Sequence, residues 1–158
     1  MPSATPSAGL TVKVKRTFPA PVEKVWAAWT EAGQLEHWMC RDKPDHVTKY
    51  REQNFTTGGR YLIENTTKGG VFLGSGTYEE IRPLEKIVFT WSWEREEKGG
   101  KKTEVDDLSR VMVEFHQRGG GTEVLLTHTM LPNEKSRADH EAGWTGCFDK
   151  LGEFLGTN

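Results

Sequence analysis

The chain has very little cysteine and lacks a long apolar run. Its two cysteines, Cys40 and Cys147, are too few for a disulfide scaffold, and their separation does not match a zinc knuckle. We therefore expect two free thiols in a reducing, cytoplasmic environment. The longest aromatic-rich stretch, Ile87 to Trp93, is far shorter than a membrane span. The sequence thus predicts a soluble protein with no membrane partner.

An excess of charge of one sign is also missing. The sequence has 21 basic and 23 acidic residues, for a formal net charge of −2. Such a balance produces no overall field that would attract nucleic acid, so we expect no nucleic-acid partner. Residues 1–9 lack the basic start and apolar run of a secretory signal and predict a flexible tail. Residues 10–156 are predicted to form one domain.

Motifs for metal, phosphate or nucleophilic chemistry are absent from the sequence. Its 5 histidines include no pair at metal-ligand spacing with a third ligand nearby, so no metal is expected. The glycine pairs fit hairpin turns rather than a phosphate-binding loop, and no cofactor is expected. Gly74 and Gly76 flank Ser75 within a predicted strand, where they are expected to permit sharp curvature of the sheet.

Alternation of apolar and polar residues predicts strands along most of the chain. The strongest pattern places Ile87, Phe89, Trp91 and Trp93 on one face. The highly charged stretch from Arg95 to Arg110 is interpreted as a long exposed connection. The predicted strands are Leu10–Phe18, His46–Arg51, Gly59–Thr67, Phe72–Ile81, Lys86–Glu94, Val111–Gln117 and Thr122–Leu131.

Helical spacing appears near both ends of the chain. Pro21 begins a helix that Gly33 is expected to break, and Leu35 to Met39 supplies a short second helical turn. Pro132 and Asn133 open a long helix that runs to about Leu155 and ends at Gly156. The order of elements predicts an α+β fold, in which a curved antiparallel sheet of six to seven strands wraps the last helix.

Segments from the whole domain resemble a known family. They are VKVKRTFPAPVEKVWAAWTEAGQLEHW, GGRYLIEN, GTYEEIRPLEKIVFTW, GTEVLLTHTML and HEAGWTGCFDKLGEFL. Together they resemble the activators of the heat-shock-protein ATPase (AHSA-type), within the START-like (SRPBCC) superfamily, which also contains lipid-transfer domains and polyketide cyclases. The resemblance implies a helix-grip fold with an internal cavity and adds a possible contact with a chaperone.

Aromatic residues mark the candidate ligand site. In a helix-grip arrangement, four tryptophans converge between the short second helix, the sheet and the last helix, where START-like relatives have their cavity. The alternative is that these rings fill a solid core. The residues predicted to bind a ligand are Trp38, Tyr78, Trp91, Trp93, His128, His140 and Trp144.

His128 is the weak candidate for a catalytic residue. It shares the apolar face of its strand with Val124, Leu126 and Met130. An imidazole at such a position can act as a base near neutral pH, or it can be a core histidine with satisfied hydrogen bonds. Strand alternation places Glu64, its conceivable partner, on the outer face.

Three functions follow, in order of preference. The first is binding of a small apolar or aromatic molecule in the cavity. The second is a cyclase-like or hydrolytic enzyme that uses His128, with His140 or Tyr78, for proton transfer. The third, co-activation of a chaperone ATPase, is implied by the resemblance alone. A monomer and a homodimer are both compatible with the sequence.

Overall fold

The computed structural model describes residues 10–41, 43–97, 99 and 101–156, and only the backbone of residues 104–107. The predicted tail, residues 1–9, lies outside the described residues. In chain order the elements are β1 (Leu10–Phe18), α1 (Val22–Thr30), α2 (Ala32–Leu35), β2 (Val47–Gln53), β3 (Arg60–Thr67), β4 (Gly70–Arg82), β5 (Lys86–Glu96), β6 (Lys102–Arg118), β7 (Gly121–Leu131) and α3 (Glu134–Gly156).

The strands form one antiparallel sheet in the order β1-β7-β6-β5-β4-β3-β2. Strands β2 to β7 follow one another as neighbours, while the chain's first strand pairs with its last. The long helix α3 packs against β1 and contacts β7. The predicted α+β helix-grip fold, a curved sheet around a C-terminal helix, is therefore confirmed.

One core joins the inner face of the sheet to the apolar face of α3. On β5, Ile87, Phe89 and Trp91 are at most 5% exposed, as alternation along the strand predicts. On α3 the buried apolar residues are Trp144, Cys147, Phe148, Leu151 and Leu155. The sheet therefore buries its apolar face against this helix and against α1 and α2, which contribute Val25, Ala28, Trp29 and Leu35 to the same core.

Strand β6 is longer than predicted. The stretch Arg95–Arg110 was predicted to be an exposed connection, but it contains the end of β5 and the first half of β6, so that prediction is wrong. Backbone pairing begins at Glu96↔Lys102 and reaches Trp91↔Ser109 with register shifts on both sides of Trp93. Lys102 and Thr103 are both exposed. Burial does not alternate at these two residues, and backbone pairing with β5 holds them in the strand.

The break between α1 and α2 lies at Glu31, not at Gly33 as predicted. Glu31 is extended, with φ −102° and ψ 121°, and Gly33 lies inside α2. The side chain of Gln53 in β2 holds this junction. Its oxygen accepts from the Ala32 N–H at 3.1 Å, and its amide donates to the Thr30 carbonyl at 2.8 Å. A tertiary contact thus places the break, as helix termini require partners for their free backbone groups.

Strand β4 approaches β5 closely at Gly76. A Cβ at Gly76 would overlap the carbonyl oxygen of Thr90 and lie 2.8 Å from the hydroxyl of Tyr61. The backbone N–H of Thr77 donates to the side-chain oxygen of Thr90 at 2.9 Å. Glycine is required here because the two strands approach too closely for any side chain.

A bulge ends the regular alternation of β7. Val12 of β1 pairs with His128, yet Leu10 pairs with Leu131, so β7 carries one additional residue. Met130 has a φ of 68° and is half-buried. The prediction that it shares the inner face with His128 is therefore wrong, and Leu131, 1% exposed, takes the inward position.

Helix α3 begins with a side-chain cap, as predicted. The backbone N–H of Ser136 donates to the Asn133 side-chain oxygen at 2.9 Å. Among the described residues, no helix combines the length and the apolar character needed to cross a membrane.

Candidate functional site

A cavity of about 220 Å³ lies between α3, β5, β3 and the segment that joins α2 to β2. Asp139 at its rim is exposed, and His46, Trp93 and His140 are half-buried, so the cavity opens to solvent on this side. The lining residues are Met39, Cys40, His46, Asn65, Trp91, Trp93, Asp139, His140, Gly143, Trp144 and Cys147.

One face of α3 forms the first wall. Asp139, His140, Gly143, Trp144 and Cys147 recur at helical spacing, which places them on the same side of the helix. A Cβ built at Gly143 would meet no atom within 4 Å. The middle of this wall is therefore open space rather than packed side chain.

Two tryptophans of β5 form the second wall. The rings of Trp91 and Trp93 meet edge to face, with centroids 5.2 Å apart, and Trp91 lies 5.9 Å from Trp144 of the helix wall. A Cβ at Gly74 of β4 would lie 3.4 Å from Trp93 and 3.5 Å from Trp91. These are ordinary van der Waals distances, so Gly74 lies directly against both rings of this wall.

Buried hydrogen bonds hold the third wall, the segment from Met39 to His46. Asn65 of β3, 4% exposed, donates to the Cys40 carbonyl at 3.0 Å. His46 Nδ1 lies 3.3 Å from the same carbonyl, and the Thr48 hydroxyl donates to the Met39 carbonyl at 2.5 Å. Cys40 has a φ of 59°, a left-handed conformation that the surrounding contacts impose on a residue with a side chain.

The structure brings only part of the predicted site together. The cavity wall includes Trp91, Trp93, His140 and Trp144. Trp38 is fully buried away from it and donates from Nε1 to the Ala28 carbonyl at 3.0 Å. Tyr78 packs against Phe55, with ring centroids 4.8 Å apart. Trp38 and Tyr78 therefore belong to the filled core, because tertiary packing turns them away from the cavity.

His128 lies one layer behind the wall and is 0% exposed. Trp144 Nε1 donates to its Nδ1 at 3.0 Å. Because an indole N–H only donates, Nδ1 carries no proton and the proton resides on Nε2. That Nε2 donates at 2.7 Å to the Ser109 hydroxyl, which in turn donates to the Trp91 carbonyl at 3.2 Å. Both ring nitrogens are thus occupied.

Burial fixes the neutral form of His128. Desolvation, with a smaller contribution from the neighbouring His140, lowers its pKa from 6.5 to about 3. A proton on Nδ1 would also break the hydrogen bond from Trp144. The geometry therefore favours the core-histidine alternative over a catalytic base. Glu64 lies on the opposite face of the sheet, where it pairs with Arg51 at 2.7 Å.

Several lining residues were not predicted for the site. Asn65 occupies an inward position of β3 and Cys147 lies on the apolar stripe of α3, so periodicity was a usable signal for both. Met39, Cys40 and His46 come from an irregular segment without periodicity, and no pattern in the sequence pointed to them. The structure brings the two cysteines, distant in sequence, to one cavity.

The cavity suits an organic ligand better than an ion. Its interior presents indole faces, and its rim carries imidazoles and a carboxylate. In the part of the chain that the structure describes, no cluster of three or more His, Cys, Asp or Glu residues is arranged to hold a metal. The arrangement can stack an uncharged ring and orient a polar substituent.

The fold is similar to that of several solved bacterial structures. A protein from Arthrobacter aurescens has 20% identity and a TM-score of 0.82, covering 95% of this chain and 88% of that chain. A protein from Chromobacterium violaceum has 20% identity and a TM-score of 0.79, covering 92% and 96%. The AHSA1 protein from Silicibacter pomeroyi has 22% identity and a TM-score of 0.77, covering 94% and 99%. At these identities the likeness shows the fold alone.

No curated protein matches the sequence. A family model described as "Activator of Hsp90 ATPase homolog 1-like protein" matches residues 19–156. This span contains every element after β1 and all of the residues that line the cavity. The resemblance inferred from the sequence segments is thereby confirmed. The chain belongs to the family of Activator of Hsp90 ATPase homolog 1-like proteins.

Proposed function

We propose that the protein binds a small apolar or aromatic molecule in the cavity between α3, β5 and β3. The observation that carries the proposal is an unfilled space of about 220 Å³ walled by Trp91, Trp93 and Trp144. A solvent-accessible cavity of this size with aromatic, hydrogen-bonded walls is the kind of site that small ligands occupy, and domains of this family commonly bind hydrophobic ligands.

The volume limits the size of the ligand. Pockets for drug-sized molecules measure about 300–1,000 Å³, and this cavity is smaller. It suits a molecule of one or two rings rather than a long acyl chain. His46, Asp139 and His140 at the rim provide polar groups for one substituent.

The test uses the open space at Gly143. Naphthalene is titrated into the protein by calorimetry, in parallel with the variant Gly143→Leu. A Cβ there meets no atom of another element within 4 Å, and we expect the rest of the leucine side chain to extend into the cavity that Gly143 lines. The control is Thr145→Leu, the same new side chain at an exposed position of α3.

We expect wild type and Thr145→Leu to bind naphthalene with similar affinity, and Gly143→Leu to lose at least tenfold in affinity. The proposal is overturned if wild type does not bind the hydrocarbon. It is equally overturned if Gly143→Leu binds as tightly as wild type, since the ligand would then occupy another place.

The other two functions have weaker support. A cyclase-like or hydrolytic reaction in the same cavity lacks its central residue, because both nitrogens of His128 are engaged. Chaperone co-activation rests on the family's name. A cytoplasmic location and a monomeric or homodimeric state stay predictions from the sequence.

A further inference from the structure

A second, much smaller space adjoins the cavity. It measures about 10 Å³ and lies between the α1–α2 region and the inner face of the sheet. Met39 and Trp91 line both spaces, so their side chains form the partition between them. A volume of this order holds about one water-sized group. The inner space therefore has room for a single oxygen atom and none for a ring.

Two residues that each carry an unpaired, buried hydrogen-bond donor border this inner space. Trp29 and Trp91 both line it, and each is 3% exposed. Across the described residues, their Nε1 atoms are the buried side-chain nitrogens or oxygens that have no hydrogen-bond partner. Leaving such a donor unpaired destabilises the folded state, and native structures rarely do so. Two of these donors beside one small space point to an acceptor that arrives from outside the chain.

Two of the tyrosines that line the inner space already have hydrogen-bond partners. The Tyr61 hydroxyl donates to the Thr90 carbonyl at 2.5 Å. The Tyr78 hydroxyl accepts from the Gln53 amide at 3.3 Å. The two indole N–H groups are therefore the donors that an incoming acceptor would satisfy.

We propose that the ligand is a compact aromatic carbonyl compound, an aryl ketone or amide of one or two rings. Its ring lies in the cavity against Trp93 and Trp144, and its carbonyl oxygen passes Met39 into the inner space. There the oxygen accepts hydrogen bonds from Trp91 Nε1 and Trp29 Nε1. This assignment rests on the proposed function and specifies the chemistry of the ligand.

The surroundings favour a neutral acceptor over a carboxylate. None of the described residues that line the two spaces is a lysine or arginine. Burial raises the pKa of Tyr50 and Tyr61 well above the ordinary value, which shows how strongly this region disfavours negative charge. Met39, with its flexible unbranched side chain, can yield to admit the oxygen.

The experiment compares three probes of one shape by calorimetry. Acetylnaphthalene carries a neutral carbonyl, isopropenylnaphthalene replaces its oxygen by a methylene group, and naphthoate carries a negative charge. Each is titrated into wild type, Trp91→Phe and Trp29→Phe. Trp26→Phe is the control, because it makes the same change at a tryptophan that lines neither space.

We expect wild type to bind acetylnaphthalene about tenfold more tightly than isopropenylnaphthalene, the ratio that one net hydrogen bond supplies. Naphthoate should bind more weakly than acetylnaphthalene. The carbonyl preference should fall to about threefold or less in Trp91→Phe and persist in Trp26→Phe. Trp29→Phe should reduce it in the same direction.

Equal affinity for the ketone and its hydrocarbon analogue in wild type would overturn the carbonyl assignment and leave the proposed function standing. An undiminished preference in both Trp91→Phe and Trp29→Phe, or tighter binding of naphthoate, would also overturn it. If none of the three naphthalene compounds binds wild type, the proposed function and the carbonyl assignment both fail.

A measurement on wild type alone tests the carbonyl assignment even if the variants fail to fold. The infrared carbonyl stretch of isotope-labelled acetylnaphthalene should shift to lower wavenumber in the complex than in a hydrocarbon solvent. A stretch unchanged from the solvent value means that no hydrogen bond reaches the oxygen, and the assignment is then wrong.

Discussion

His128 connects three elements through a chain of hydrogen bonds that all run in one direction. The chain passes from Trp144 of α3 through the imidazole to Ser109 of β6 and on to the Trp91 carbonyl of β5. Trp144 and Trp91, at the two ends of this chain of hydrogen bonds, also line the cavity. The buried histidine therefore helps to set the distance between the helix wall and the tryptophan wall.

The stability of the protein should fall as the pH drops below 6.5, because of His128. Its pKa is about 3 in the folded protein and 6.5 when exposed, so between these values the unfolded chain binds the extra proton. Stability is fully present above pH 6.5 and is lost progressively towards pH 3. From pH 7 to pH 5 this residue should remove about 2 kcal/mol from the free energy of unfolding.

Urea denaturation of His128→Gln at both pH values checks this prediction. The variant should lose about 2 kcal/mol less than wild type between pH 7 and pH 5. Val124→Ala is the control, since it removes buried volume from the same face of β7 without removing a titratable group. A wild-type pH dependence in His128→Gln would contradict the assigned neutral state.

At the scale of elements, glycines divide into those that close packing requires and those that leave space. At Gly76 of β4 a Cβ would overlap the backbone of β5, whereas at Gly143 of α3 it would meet nothing within 4 Å. The first allows β4 to pack closely against β5, and the second leaves the cavity open.

Alanine at these two positions should have opposite effects. Gly76→Ala should lower the free energy of unfolding by at least about 2–3 kcal/mol, because the obstructing Thr90 carbonyl belongs to a central strand and cannot move aside. Gly143→Ala should raise it by about 0.5–1 kcal/mol through helix propensity. Urea denaturation measures both, and a Gly76→Ala variant as stable as wild type would show that β4 can pack closely against β5 without glycine.

Considered as a whole, the molecule has a filled half and an open half. Beneath α1 and α2, aromatic rings such as Trp29, Trp38 and Phe115 pack at centroid distances of 4.6–6.2 Å. Beside the first half of α3, the same sheet encloses the cavity. Packing in the filled half stabilises the fold. The protein can therefore stay folded while the cavity in the open half is empty.

A ligand that fits the cavity should stabilise the whole domain. Naphthalene at one hundred times its dissociation constant adds about 2.7 kcal/mol. For a chain of this size that corresponds to a rise in Tm of about 5–10 °C. Differential scanning fluorimetry measures it, and laurate, whose chain is too long for about 220 Å³, should leave Tm unchanged.

Gly143→Leu is the control for this measurement, because its new side chain fills the cavity. Its Tm should not respond to naphthalene. Equal shifts for laurate and naphthalene, or a full naphthalene shift in Gly143→Leu, would mean that the stabilising site lies elsewhere.

The sequence alone determined the fold class and most element positions. Three local patterns predicted these elements: period-two alternation on β5 and β7, the proline and asparagine before α3, and the aromatic stripe of α3. The same periodicity placed His128 on the inner face and Glu64 on the outer face. Such features are readable because each depends on residues close together in the chain.

Only the tertiary structure decided where the core ends and the cavity begins. Trp38 and Trp144 have equally apolar side chains, but one packs under α1 and the other faces open space. The α1–α2 break depends on Gln53, and the early part of β6 depends on its partner strand. These outcomes arise from contacts between residues far apart in sequence, for which no local pattern exists.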